Sequence, residues 1–426
     1  MTKLRFYLEK TRSKLWVRPV ILSAAAVLWV CLSFMADAAI PPDMRVKIEK
    51  DTLINLFSIL ASSMLTVATF SVSAVATAFG SVASSASPRA TSIVMGDTAV
   101  QSTLAAFLAS FIYAVVSITA LSAMNFGVGG RFMLFVGFVL LVSWVLVSFL
   151  HWVDRVSRLG KLDDTLERVK RSAKVALTNP DLADLLGGAV QTGTERPEGG
   201  PGRDFRAMGF GYIQYVDMEE LQEHARKLDV RIWLDVRPGA YVPEGEIIGV
   251  VDGQTAIPEE TLEEIARCLK MDNVRSTSAD PRFSMLLLSE VADRALSPAV
   301  NDPGTAIAIL AIQVELFHGW VKTRRKARGM EVKYRSVHVP EIQAMDLVYD
   351  AFGSIARDGA SMVEVGVRLQ KTLSMIHRLG DRDLQQAAEE MRRISLGFSD
   401  AALVLEEQKR VVRGTGMERP VAERAG

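Results

Sequence analysis

Apolar positions in this chain fall into two regimes. Before residue 151 they gather into four long runs, and after it they alternate with charged residues at helical or strand spacing. The runs are Val20 to Ile40, Leu53 to Phe79, Leu104 to Met124 and Phe132 to Leu150, and the last three contain no charged residue. A helix of about 20 residues crosses a hydrocarbon core. Lipid offers a backbone amide no partner, so such runs must be helical. The pattern predicts an α-helical polytopic membrane domain of four transmembrane helices (about 20–40, 53–79, 104–124 and 132–150), followed by a mixed α/β cytoplasmic domain. In outline, 1–160 is the transmembrane domain and 161–202 a connecting helix with a flexible linker. A small α/β domain follows at 203–280, a helical domain at 281–412 and a disordered tail at 413–426.

Charge at the flanks orients the spans. Lys3, Arg5, Lys10, Arg12, Lys14 and Arg18 face a single Glu9, and Arg155, Arg158, Lys161 and Arg168 follow the fourth run. Basic flanks stay in the cytoplasm, which places both ends inside. The loop after the first run is balanced, with Arg45, Lys47 and Lys50 against Asp43, Glu49 and Asp51. A competing reading takes residues 1–38 as a cleaved signal peptide, with "ADA" before Ala39 as the cleavage site. That would leave three spans and put the large C-terminal half outside. Two cysteines, Cys31 and Cys268, offer no disulfide framework.

Beyond the membrane runs, Leu162 to Leu177 reads as an amphipathic helix and Gly187 to Gly202 as a linker by composition. "GFGYIQYV" and "VRIWLDV" alternate like strands around a short helix capped by Asp217. "RPGAYVPEGEIIGVV" reads as two turns and a strand. It is similar in shape to the loop of biotinyl/lipoyl-type barrels, without a lysine to carry a cofactor, or it is an ordinary β-meander. Helices are expected at 258–271, 282–296, 303–322, 340–357, 361–379, 381–394 and 398–412, with a strand at 331–339.

Lysine plus arginine equals aspartate plus glutamate at 49 each, so no global field points to nucleic acid. No Walker loop or nucleophile elbow occurs. "GFG" precedes a strand rather than a helix, so it is no dinucleotide fingerprint. The five histidines (151, 224, 318, 338 and 377) show no ligand spacing. No catalytic residue, metal or cofactor is therefore expected, and the protein reads as a non-enzyme.

Two features carry candidate chemistry. In the second run Ser62, Thr66, Thr69, Ser73 and Thr77 recur at steps of four, three, four and four, which is one helix face. Small polar residues let transmembrane helices pack closely; arranged around an axis they could instead line a pore. The absence of charge in spans two to four argues against a proton-coupled pump. From Leu53 to Ser87 the helix would exceed a bilayer core, so it either projects or breaks near Gly80. The second feature is the corner "RALSPAVNDPGTA". Pro298 ends one helix, and Asp302 with Pro303 starts the next in the arrangement capping favours. Ser297, Asn301 and Thr305 cluster there, with Arg282 and Arg294 in the preceding helix. The corner is a structural turn or a contact for a ligand or subunit.

"DPRFSMLLLSEVADRALSPAVNDPGTA" resembles the signature of domain-of-unknown-function family 2254, predicted bacterial membrane proteins. "SPR" at Ser87, Pro88 and Arg89, followed by Asp97 and Gln101, resembles that family's connection between spans two and three. "GYIQYVDMEEL" ahead of "RPGAYVPEG" does so too. Ser284 and Ala299 stand where the family pattern has glycines. The resemblance implies four spans and a cytoplasmic domain, and no established activity. The leading expectation is a homo-oligomeric channel or passive transport pathway for an ion or small solute, its partners being the bilayer and further copies of itself. The alternative is a membrane-anchored sensor or scaffold whose cytoplasmic domain binds a ligand or partner.

Overall fold

The computed structural model describes residues 17–35, 47–85, 89, 98–158, 162–191, 203–252, 257–277 and 279–415. The chain divides between Thr165 and Leu166 into two compact units.

The first unit is built from α1 (Val17–Met35), α2 (Lys50–Ser85), α3 (Thr98–Ala123) and α4 (Val128–Arg158). Helix α1 packs along α3, and both pack on α4. Close approach depends on Gly137, where a Cβ would stand 2.5 Å from both Trp29 Nε1 and Tyr113 Oη. The two polar tips cross there to reach backbone oxygens of α4: Tyr113 Oη donates to Leu134 O at 2.7 Å and Trp29 Nε1 to Met133 O at 3.3 Å. Aromatic N–H and O–H groups need such partners when buried. Helix α2 joins this core through Leu53, Phe57, Leu60 and Met64, with the Phe57 ring edge-on to Tyr113 and Phe138. It runs as one helix of 36 residues, about 54 Å at 1.5 Å per residue. Of the two alternatives, projection or a break near Gly80, the break does not occur.

The second unit joins two sheets to a helical layer. The five-stranded sheet has the order β1 (Gly188–Val190), β8 (Tyr334–Val339), β4 (Arg231–Leu234), β6 (Ile247–Asp252), β2 (Arg203–Arg206). Strands β1, β8 and β4 run parallel, and β6 is antiparallel to both β4 and β2. A three-stranded antiparallel sheet sets β3 (Gly211–Val216) between β5 (Tyr241–Val242) and β7 (Leu269–Asp272). Side chains alternate across a strand, so Ile232, Leu234, Val251, Val337 and Val339 share a core with Leu221 and Ala225 of α7 (Met218–Leu228) and Leu262 and Ile265 of α8 (Glu259–Arg267). Asp217 caps α7 as expected, accepting from Glu220 N at 3.2 Å.

Several expectations change here. The composition-based linker begins with a strand, because Gly188–Val190 pairs with β8. Strands β1 and β8 complete a sheet whose other members lie within 203–280. The "RPGAYVPEGEIIGVV" phrase is neither a meander nor a barrel loop, since β5 joins one sheet and β6 the other. The segment 258–271 splits into α8 and β7.

The amphipathic helix α5 (Leu162–Leu177) and the single turn α6 (Pro180–Ala183) lead into this unit. Its helical layer comprises α9 (Pro281–Leu296), α10 (Pro303–Arg328), α11 (Ala344–Asp358), α12 (Val363–His377), α13 (Arg382–Ala402) and α14 (Glu406–Gly414). The two helices expected at 381–394 and 398–412 are instead one long helix and a short one, with the break at Leu403–Leu405. Helix α14 includes Arg413 and Gly414, the first two residues of the expected tail; residues 416–426 lie outside the described residues.

By length and composition five described helices could cross a membrane: α1 to α4 and, beyond the expected four, α10. Helix α10 differs in surroundings. Leu310, Leu316, Phe317 and Trp320 are buried within the second unit, Phe317 stacks on Phe352, and Trp320 Nε1 donates to Ala183 O at 3.0 Å.

Candidate functional site

The hydroxyl face of α2 points away from the described helices that α2 packs on. Ser62, Thr66, Thr69, Ser73 and Thr77 are all exposed on the single chain. Ser62, Thr66, Thr69 and Thr77 each donate to a backbone oxygen one turn earlier, at 2.9–3.0 Å. That bonding lowers the cost of placing a hydroxyl in an apolar medium. Among the described residues, none covers this face.

The corner is a capped turn. Asp302 accepts from Thr305 N at 3.1 Å and from Thr305 Oγ1 at 2.6 Å, with Pro303 at the start of α10. The Thr305 hydroxyl holds the Asp302 carboxyl below its ordinary range. Asn301 takes a left-handed φ of 52°, which asparagine tolerates better than most residues. Ser297 Oγ donates to Arg294 O at 2.7 Å. Pro298 and Asn301 are exposed, and Arg294 is an exposed residue of the last turn of α9. Arg282 does not belong to this cluster. It sits in the first turn of α9, where it pairs with Asp350 at 2.7 Å and Asp346 at 2.8 Å. A helix of 16 residues puts the two ends about 24 Å apart. Of the span connection, Ser87, Pro88 and Asp97 lie outside the described residues, as does the side chain of Gln101, and Arg89 is an exposed turn residue.

Two sequence phrases that lie far apart in the chain meet in the second unit. Arg237–Gly239, from the turn before β5, and Asp280–Arg282, from the start of α9, line a cavity of about 290 Å³ together with Pro340–Gln343 and Asp346. Gly239 has φ +97° and lies against Asp280, where a Cβ would overlap the carboxylate. Asp280 is 2% exposed. It caps α9 through Phe283 N at 3.2 Å and pairs with Arg275 at 2.6 Å. Burial raises its pKa, and Arg275 opposes that shift. The Arg237 guanidinium is enclosed by the carbonyls of Asp184 and Pro340 at 2.6 Å and Leu182 at 3.2 Å. Burial there lowers its pKa to about 10.

Behind this cavity lies Arg324 of α10, 2% exposed, over the Trp320 ring. It meets Glu341 at 2.8 Å, Asp381 at 3.4 Å and Asp184 at 3.5 Å. Asp184 in turn borders a larger cavity of about 780 Å³, whose wall carries Arg226, Arg328, Lys333 and Arg335 beside Asp181 and Glu331. Mixed charge of this kind can hold a polar ligand by several charge-assisted bonds. None of this was visible as a motif, because the partners come from strand ends and helix starts far apart in sequence.

One trio among the described residues has metal-ligand chemistry at close range: Glu220, His224 and Cys268. The expectation that no histidine had ligand spacing overlooked the four-residue step from Glu220 to His224. Their third partner arrives from beyond α8.

A family model described as "Predicted membrane protein (DUF2254)" matches residues 12–375. The chain is also similar to an uncharacterized protein of Mycobacterium tuberculosis (strain CDC 1551 / Oshkosh), 25% identical over 274 residues, covering 62% of this chain and 50% of that one. An uncharacterized protein of Mycobacterium bovis matches with the same identity and coverage. The chain thus spans about half the length of the curated relatives it matches. No solved structure matches it.

Proposed function

The chain belongs to the DUF2254 family of predicted membrane proteins, and from that premise we propose that it is a non-catalytic, homo-oligomeric passive conduit of the bacterial inner membrane. In this reading α1 to α4 span the bilayer, both ends are cytoplasmic, and the second unit forms a vestibule or gate. Helix α10 stays out of the membrane: Arg324 is enclosed by the protein's own carboxylates, and an intramembrane charge of that kind is costly.

The observation that carries this reading is the outward hydroxyl face of α2. A hydroxyl has one proton to donate and two lone pairs to accept with. Four of the five donate that proton to their own helix, so the face offers mainly acceptors. No charged residue follows Asp51 in this helix. Copies of α2 around an axis would line a path with oxygen acceptors, which can replace part of a cation's hydration shell. Close packing of the same face between copies is the competing use.

Reconstitution separates the two. Wild-type protein in proteoliposomes should pass potassium faster than chloride. Ser73→Leu should cut that flux at least tenfold while the oligomer survives, and Val72→Leu on the neighbouring face should change it little. Loss of assembly in Ser73→Leu would assign the face to packing. No flux from the wild type under any ion gradient would remove the conduit reading. The charge-lined 290 Å³ cavity supports the second reading, a membrane-anchored sensor that binds a polar ligand or partner.

A further inference from the structure

Glu220 and His224 lie one turn apart on α7, so their side chains share a face of the helix. Cys268 follows α8 at the entry to β7 and is 1% exposed. Asp217 N donates to Cys268 O at 2.9 Å, which fixes the cysteine backbone beside the first turn of α7. The result is a carboxylate oxygen, an imidazole nitrogen and a sulfur whose donor atoms lie within 4.8 Å of one another.

We propose that Glu220, His224 and Cys268 bind a divalent transition metal, Zn²⁺ by the chemistry of the donors, with water completing a tetrahedron. Zinc takes sulfur at about 2.3 Å and nitrogen or oxygen at about 2.0–2.2 Å. Those bonds require neighbouring donors about 3.3–3.8 Å apart, a contraction that rotation of the half-buried Glu220 and His224 can provide. The thiol proton leaves to solvent as the metal binds. Thiolate and carboxylate together then offset the two positive charges of the ion, which lowers the cost of holding it next to a buried side chain. A soft sulfur beside imidazole selects zinc-like ions over magnesium or calcium. The only other cysteine in the sequence is Cys31, in α1 of the other unit, so the sulfur's role here does not compete with a disulfide inside the second unit.

The site would act as a clamp. It joins α7, whose Gln222 and Arg226 line the 780 Å³ cavity, to the start of β7. Three protein ligands with one water leave a position that a ligand atom could take, as in zinc sites that keep an open coordination place.

The test uses the full-length protein, purified in detergent without a polyhistidine tag and stripped of metal. Titration with Co²⁺ should give a thiolate-to-cobalt charge-transfer band at one equivalent, together with the visible bands of tetrahedral cobalt. Zn²⁺ should bleach both and raise the thermal midpoint. Cys268→Ser should lose the charge-transfer band. Glu220→Gln and His224→Asn, which leave the buried cysteine in place, should weaken Co²⁺ binding at least tenfold while metal-free melting stays near wild type. Absence of the charge-transfer band in the wild type, its persistence in Cys268→Ser, or unchanged affinity in both of the other variants would overturn the assignment.

Discussion

Single carboxylates in α9 and at the start of α10 respond to pH in opposite senses. Asp293 is pushed up from its ordinary 3.8 to about 6, by burial first and by the like charges of Asp358 and Glu290 beyond it, against a hydrogen bond from Ser354. Between those two values the folded protein binds more protons than the unfolded chain, so stability falls as pH rises. Asp293→Asn should flatten that slope and raise the thermal midpoint at pH 7.5, as melting curves from pH 4 to 7.5 would record. Asp302 behaves the other way. Its carboxyl is held down by Thr305, so its contribution is present above the ordinary carboxylate range and is lost as pH falls through the folded value. Asp302→Ala should cost about 0.5–2 kcal/mol and Asp302→Asn much less, because asparagine caps nearly as well. Equal loss of function in both, with unchanged melting, would instead give the corner a charge-dependent contact.

Among the elements, the apolar helices of the first unit approach one another closely at one glycine. Gly137→Ala would drive a methyl into Trp29 and Tyr113, and overpacking of this kind costs about 1–3 kcal/mol. The expected readout is a lower melting temperature in detergent, while Gly80→Ala, where a Cβ meets nothing within 4 Å, should leave it unchanged or slightly higher. Local signals were legible in sequence: the four apolar runs, the hydroxyl spacing on α2, and the caps at Asp217 and Asp302 all follow from periodicity or from three-residue geometry. Long-range pairing was not. Nothing near Gly188 or Tyr334 announces that they join one sheet, and Arg237 and Asp280 meet only because a strand end and a helix start converge. The expected gap between 394 and 398 does not occur: α13 continues through Gly397, where a Cβ would touch nothing, at a modest propensity cost.

At the scale of the whole molecule, the open question of five apolar helices against four spans has a direct readout. Val300 and Met330 flank α10 and are both about half exposed, at 50% and 52%. In cells carrying single-cysteine variants, with Cys31 and Cys268 replaced, probes at both positions should resist an impermeant reagent until the membrane is opened. A probe at Gly127 should react at once. Labelling of only one of the α10 flanks from outside would make that helix a span. The same helix sets a condition on biosynthesis. Its length and hydropathy are those of a segment the insertion machinery can accept, yet its buried Arg324 requires carboxylates at Asp184, made earlier, and at Glu341 and Asp381, made later. As it leaves the ribosome, α10 has only Asp184 of these three, so docking on α6 and α9, already synthesised, has to hold it out of the bilayer until the later carboxylates arrive. Slowing that docking, rather than weakening the finished fold, would give α10 time to enter the bilayer and carry the residues after it to the other side.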